Sequence, residues 1–180
     1  MWDGFAESPF FDMERQACEE NGVRVEVCEQ LLIDGMLDHE HVRIFKPDAW
    51  FSTKHMAKPP KSVDCMVIVK NNSNEAIIWF IENKDIKSLD SIKFDDVIEK
   101  FRETSRWAES VLNEFLTEIH LKEVRAYFVT TLYKHLPEEK WNKRIKDSSL
   151  IRFSRHSNKI PFANGYFMIQ PLPSPQEICY

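Results

Sequence analysis

Two apolar runs flank a polar knot in the middle of the chain: Val-Asp-Cys-Met-Val-Ile-Val-Lys over 63–70, Asn-Asn-Ser-Asn over 71–74, and Ala-Ile-Ile-Trp-Phe-Ile-Glu over 76–82. β-Branched and aromatic residues on both sides of a cluster of turn formers predict a hairpin. Consecutive positions are apolar, so both faces of its strands should be covered, which predicts a central place in a sheet with helices on two sides. Downstream, Val97, Ile98, Phe101, Ala108, Leu112, Phe115 and Ile119 recur at helical spacing, with Glu99, Arg102, Arg106, Glu109 and Asn113 opposite. This predicts a long helix over 91–119, capped by Asp90 or Ser91, with one buried stripe. A strand over 124–132 follows, and a crossover of that length places it parallel to the strand ending at Glu82.

The flanks are less strongly patterned. An amphipathic helix is expected over 8–21, from Ser8-Pro9 to a stop at Asn21-Gly22. Strands are expected over 23–33, 41–46 and 166–170, and a short helix over 138–146. The sum is an α/β fold, a central mixed sheet flanked by helices, in a single domain over 1–180 with its core over about 8–132 and a basic elaboration over 133–180.

Composition alters this picture at three points. At 180 residues and 43% hydrophobic the chain suffices for one core. Cys18, Cys28, Cys65 and Cys179 form no Cys-x-x-Cys pair, which points to reduced thiols in a cytoplasmic protein rather than a zinc site or disulfide framework. The N-terminal residues have no basic segment leading into an apolar run, and no stretch approaches the roughly 18 apolar residues of a membrane span, so neither export nor membrane insertion is expected. The net charge is −5, but it is polarised: residues 1–50 hold twelve acids against four Lys or Arg, residues 134–159 three acids against eight. Lys54, Lys58 and Lys61 lie in an acid-free loop just before Asp64 and are candidates for phosphate contacts. Lys140, Lys143, Arg144, Arg152, Arg155 and Lys159 form a second basic stretch that either tracks a phosphate backbone or is simply solvated.

The chemistry concentrates at one end of the hairpin. A turn centred on Ser73 sets Asp64 directly opposite Glu82, and opposed residues share a face. Lys84, two residues further on, points the same way. Two opposed carboxylates repel unless one is protonated or a cation lies between them. An all-oxygen set completed by water suits Mg²⁺ or Mn²⁺, with Asp64 and Glu82 as ligands and Lys84 beside the attacking water. The plainer alternative is a salt bridge at a strand end. Lys100, Thr104 and Arg106 on the long helix could also reach substrate, with Lys100 the candidate retained. His39 and His41 read as surface residues and Trp79 as core.

Asp64 followed by Glu82-Asn83-Lys84 at the end of the second strand, then a long helix and a strand, resembles the core of PD-(D/E)xK nucleases, the restriction-endonuclease-like superfamily. The resemblance covers about 8–132. It implies an αβββαβ core, hydrolysis of phosphodiester bonds with a divalent metal, and a first-helix glutamate near that metal, for which Glu14 is the candidate and Glu20 the second. Three acid-x-Lys triplets occur, at Glu82/Lys84, Asp85/Lys87 and Glu138/Lys140, and only Glu82 combines strand, face and partner. Val63 stands where the family motif has proline. The literal Pro47-Asp48 lies outside the hairpin, and Asp48 replaces Asp64 as ligand if the register is otherwise.

The expected function is an Mg²⁺-dependent endodeoxyribonuclease of restriction or defence type, acting on DNA as a homodimer because a small subunit carries one centre for two strands. A structure-selective or recombination nuclease of the same fold is the second expectation, and a non-catalytic nucleic-acid-binding or subunit-interaction protein the third.

Overall fold

The computed structural model describes residues 14–15, 17–53 and 58–180, without the side chains of Glu14, Arg15 and Thr53. In chain order its first strands are β1 (Glu14–Arg15), β2 (Cys18–Glu20), β3 (Val23–Val27), β4 (Leu32–Ile33), β5 (Met36–Leu37) and β6 (Val42–Phe45). Helix α1 (Pro47–Thr53) leads to β7 (Cys65–Lys70) and β8 (Glu75–Lys84), then come α2 (Phe94–Val111), α3 (Asn113–Glu118) and β9 (His120–Thr130). The chain continues through α4 (Glu138–Lys146) to β10 (Ile160–Phe162), β11 (Gly165–Phe167), β12 (Ile169–Pro173) and β13 (Gln176–Ile178).

Six strands form the central sheet in the order β1-β6-β7-β8-β9-β12. It is mixed: β6, β7 and β8 run antiparallel, while β8, β9 and β12 run parallel. The β7-β8 hairpin has the expected register, with Cys65 opposite Ile81 and Lys70 opposite Ala76, centred on Ser73. Its strands are buried nearly throughout because apolar side chains project to both faces. On one face Met66, Ile68, Ile78 and Phe80 pack against Val97, Ile98 and Phe101 of α2. All seven residues of the anticipated helical stripe are buried. The helix is interrupted, however: α2 ends at Val111, and α3 begins at Asn113.

On the other face the structure corrects the expectation of helices. Val67, Val69, Ile77, Trp79 and Ile81 are covered by Val23, Val25, Leu31, Leu37 and Ile178. These belong largely to a second sheet, ordered β13-β3-β2, and to the β4-β5 hairpin. Trp79 is core, as expected, at 1% exposure.

The helix expected over 8–21 is also corrected where the chain is described, since Glu14–Arg15 and Cys18–Glu20 are strands. Residues 1–13 and 16 lie outside the described residues. Asn21 and Gly22, read as a helix stop, both have positive φ (51° and 74°) and join β2 to β3 with Glu20 opposite Val23. That is the backbone of a two-residue type I′ hairpin turn, which Asn-Gly adopts with little strain. Asp34-Gly35 repeats it between β4 and β5, with φ of 52° and 78°. A restriction-endonuclease-like first helix is therefore not found at 14–20. The plain description is a mixed α/β fold, with helices on one face of the central sheet and strands on the other.

The four cysteines are not free thiols. Cys18 pairs with Cys65 and Cys28 with Cys179, tying the second sheet and the C-terminal residues to their neighbours. No helix among the described residues is long and apolar enough to cross a membrane.

Candidate active site

Asp64 precedes β7, and one more step in the hairpin register sets it across from Glu82 on the face covered by α2. Two backbone groups fix this corner. The Asn83 N–H donates to Asp64 Oδ2 at 2.7 Å, and the Val63 N–H donates to Thr104 Oγ1 of α2 at 3.0 Å. Proline at position 63 would have no such donor. Thr104 is itself fully buried, so its hydroxyl serves the backbone and not a substrate. Thr104→Val should leave the Val63 N–H unpaired and cost about 1–3 kcal/mol in a denaturant titration, with Thr104→Ser close to wild type. Equal stability of the Val and Ser variants would remove this anchor from the account.

Glu82 is completely buried, and its two oxygens differ in environment. Oε1 accepts from Lys84 Nζ at 2.9 Å and from Lys100 Nζ at 2.7 Å. Oε2 is buried without a hydrogen-bond partner. Burial, and next the negative charge of Glu82, push the Asp64 carboxyl up to about 7, against the Asn83 hydrogen bond and the lysine charges. Burial works against the Lys84 ammonium, but the charge and hydrogen bond of Glu82 outweigh it and hold its pKa above the ordinary value.

Lys100 sits at the border of the buried stripe of α2, so its ammonium reaches the sheet face and is engaged by Glu82. The geometry makes this candidate for substrate contact a holder of the Glu82 carboxylate. A site read from the hairpin alone misses this group. The signal for it is its position three residues after Val97 and one before Phe101.

The set fits a divalent cation on one specific observation. An orphaned buried carboxylate oxygen is costly, and here it lies beside a second carboxyl that its charge disturbs. Asp64 and Glu82 are the residues that would hold the ion. They would supply two carboxylates and leave the other positions to water and substrate, as Mg²⁺ tolerates.

Other sequence candidates fall elsewhere. Glu14 pairs with Phe45 on edge strand β1, two strands across from β7, and its side chain lies outside the described residues. Glu20 is in β2 of the second sheet and accepts from Lys46 Nζ at 2.7 Å, and the Asp64 charge also acts on that ammonium, helping to hold its pKa above the ordinary value. Asp48 is exposed on the first turn of α1, outside the hairpin, whose register sets Asp64 across from Glu82. Asp85 turns to the Thr131 hydroxyl at 2.6 Å, and Glu138 opens α4. Lys54 lies outside the described residues, and Lys58 is exposed. Lys61 is bound to Asp96 at 2.8 Å and to Glu99, so its ammonium already has two acidic partners. His41 is held between Asp38 and Asn72, each at 2.6 Å, rather than paired with His39 around a metal. In the C-terminal basic stretch, Arg144, Arg152 and Lys159 lie over the rings of Tyr133, Phe94 and Tyr166.

Comparison of the chain with protein-family models, with curated proteins and with solved structures finds no match.

Proposed function

We propose that this chain is a divalent-metal-dependent phosphodiester hydrolase acting on DNA, of the kind its resemblance to PD-(D/E)xK endonucleases implies. The observation that carries the reading is the unpartnered, buried Glu82 Oε2 beside an Asp64 carboxyl pushed up to about 7. A salt-bridge cluster with no further role would gain by satisfying both oxygens of Glu82, whereas both ammonium groups gather on Oε1.

The division of labour follows from exposure. Lys100, 19% exposed, holds Glu82 in place; Lys84, 34% exposed, has its ammonium at the solvent side of the cluster. There it can donate to a phosphoryl oxygen as charge develops, or orient a water for in-line attack. The Asn83 N–H fixes the direction of the Asp64 carboxylate. A divalent ion held by Asp64 and Glu82 would withdraw charge from the phosphoryl group and make water more acidic.

A defence role belongs to the same proposal, and a homodimer with it where both strands of a DNA are cut at once, since that needs two such centres. A cytosolic location belongs to it only where the two cysteine pairs are reduced, since the cytosol keeps thiols reduced. The test is incubation of supercoiled plasmid and genomic DNA with Mg²⁺, run against Glu82→Gln. Glutamine keeps an acceptor for the two lysines, whereas alanine would leave them unpaired. Mg²⁺-dependent cleavage lost in the variant is expected, with discrete genomic fragments if the enzyme reads sequence. No cleavage of either DNA, or equal cleavage by the variant, contradicts the proposal.

A further inference from the structure

Immediately after Lys84 the chain turns out of the sheet, and residues 85–93 form an arch before α2 begins. The arch is fixed at its start by the Asp85–Thr131 hydrogen bond of 2.6 Å. Further along, Ser88 Oγ accepts from the Asp90 N–H at 3.2 Å, and Ser91 Oγ donates to the Ser88 carbonyl at 2.7 Å. Between the arch, α2 and the end of the sheet lies a half-open cavity of about 280 Å³, lined by Ile86, Ile92, Phe128 and the side chains of Lys84, Ser91 and Lys93 among others. Asp96 also lines it, and its charge is offset by Lys61 at 2.8 Å.

Resting on the phosphodiesterase reading, we propose that this cavity receives the base of an unpaired nucleotide next to the phosphate that is cut, so that the substrate is single-stranded or locally unpaired DNA. The volume lies near the lower end for ligand pockets, suited to a single nucleoside and no larger group. Ile86, Ile92, Val97 and Phe128 supply an apolar part of its wall that suits the faces of a base, and Lys84 and Lys93 suit the phosphates on either side of it. Lys84 belongs both to this cavity and to the Glu82 cluster, so an occupant would adjoin the reacting phosphate. A base inside an intact duplex cannot enter without being flipped out of the stack at a cost of a few kcal/mol, whereas an unpaired one enters at little cost. The preference that follows is for unpaired structure.

The test is binding in EDTA of three 2-aminopurine-labelled DNAs: a single strand, a duplex with one unpaired nucleotide, and a blunt duplex. The single strand and the unpaired duplex should bind at least about tenfold more tightly than the blunt duplex, with a change in 2-aminopurine fluorescence. Ile92→Trp fills the cavity and should abolish that preference while keeping thermal stabilisation by Mn²⁺. Ile86→Trp, at a half-buried position on the same cavity, should do the same and stands in if the Ile92 variant does not fold. Equal affinity for all three DNAs, no binding to any, or a preference that a folded variant retains overturns the proposal. Unpaired-DNA preference without cleavage in Mg²⁺ upholds the cavity and sinks the hydrolase reading; cleavage with equal affinities does the reverse.

Discussion

Replacing Lys84 with methionine is expected to lower metal-dependent cleavage by about two to three orders of magnitude, the cost of removing one donor aimed at developing charge. The substitution keeps the length and apolar stem of the side chain, and Lys100 still donates to Glu82 Oε1 at 2.7 Å. The fold and the carboxylate pair therefore remain in place. The loss should fall on kcat, because the ammonium acts on charge that appears in the transition state. Normal cleavage by Lys84→Met would show the mechanism to be wrong whatever the fold.

The second large effect concerns stability. In the metal-free protein the Asp64 carboxyl is pushed from 3.8 up to about 7, first by burial and then by Glu82. A group whose folded pKa is raised contributes stability that is complete below its unfolded pKa and is lost as pH climbs through the folded one. Between pH 3.8 and about 7 the metal-free protein should therefore lose stability from this site, by an upper bound of about 4 kcal/mol. Asp64→Asn mimics the neutral carboxyl and can still accept from the Asn83 N–H. At pH 8 without metal it should melt several degrees above wild type, at about 2–4 °C per kcal/mol for a chain of this size. The difference should vanish near pH 4. Equal melting temperatures at pH 8 would mean that Asp64 carries no such burden.

What could be read in advance was whatever local pattern and register determine. The Asn71–Asn74 turn, with apolar runs on each side, placed Asp64 against Glu82, and the buried stripe from Val97 to Ile119 oriented the long helix. The helix at Glu138–Lys146 and the parallel pairing of β9 with β8 followed from the same kind of signal. The strands at Val23–Val27 and Val42–Phe45 were legible too, but the segment ending at Asn21-Gly22 reads as a helix because its polar and apolar residues fit a helical wheel as well as short strands. Asn21-Gly22 was the deciding clue, and its positive φ at both residues marks a hairpin rather than a helix end. Helix α1 carried its own signal in Pro47 with Asp48 in the first turn. Strand β13 pairs with β3 although some 150 residues separate Cys28 from Cys179 beside them, and no local periodicity reports contacts of that range. The site was legible as far as it lies on the hairpin. The grip of Lys100 on Glu82 and of Thr104 on Val63 depends on how α2 packs, which the sequence pattern alone does not show.

Binding of Mn²⁺ by isothermal titration calorimetry, on wild type, Asp64→Asn and Glu82→Gln side by side, bears most directly on whether these carboxylates share a cation. Wild type should take up a single ion per chain, and each variant should lose that uptake while remaining folded. Undiminished Mn²⁺ uptake in both folded variants, or none in a wild type that cleaves DNA, would contradict the account.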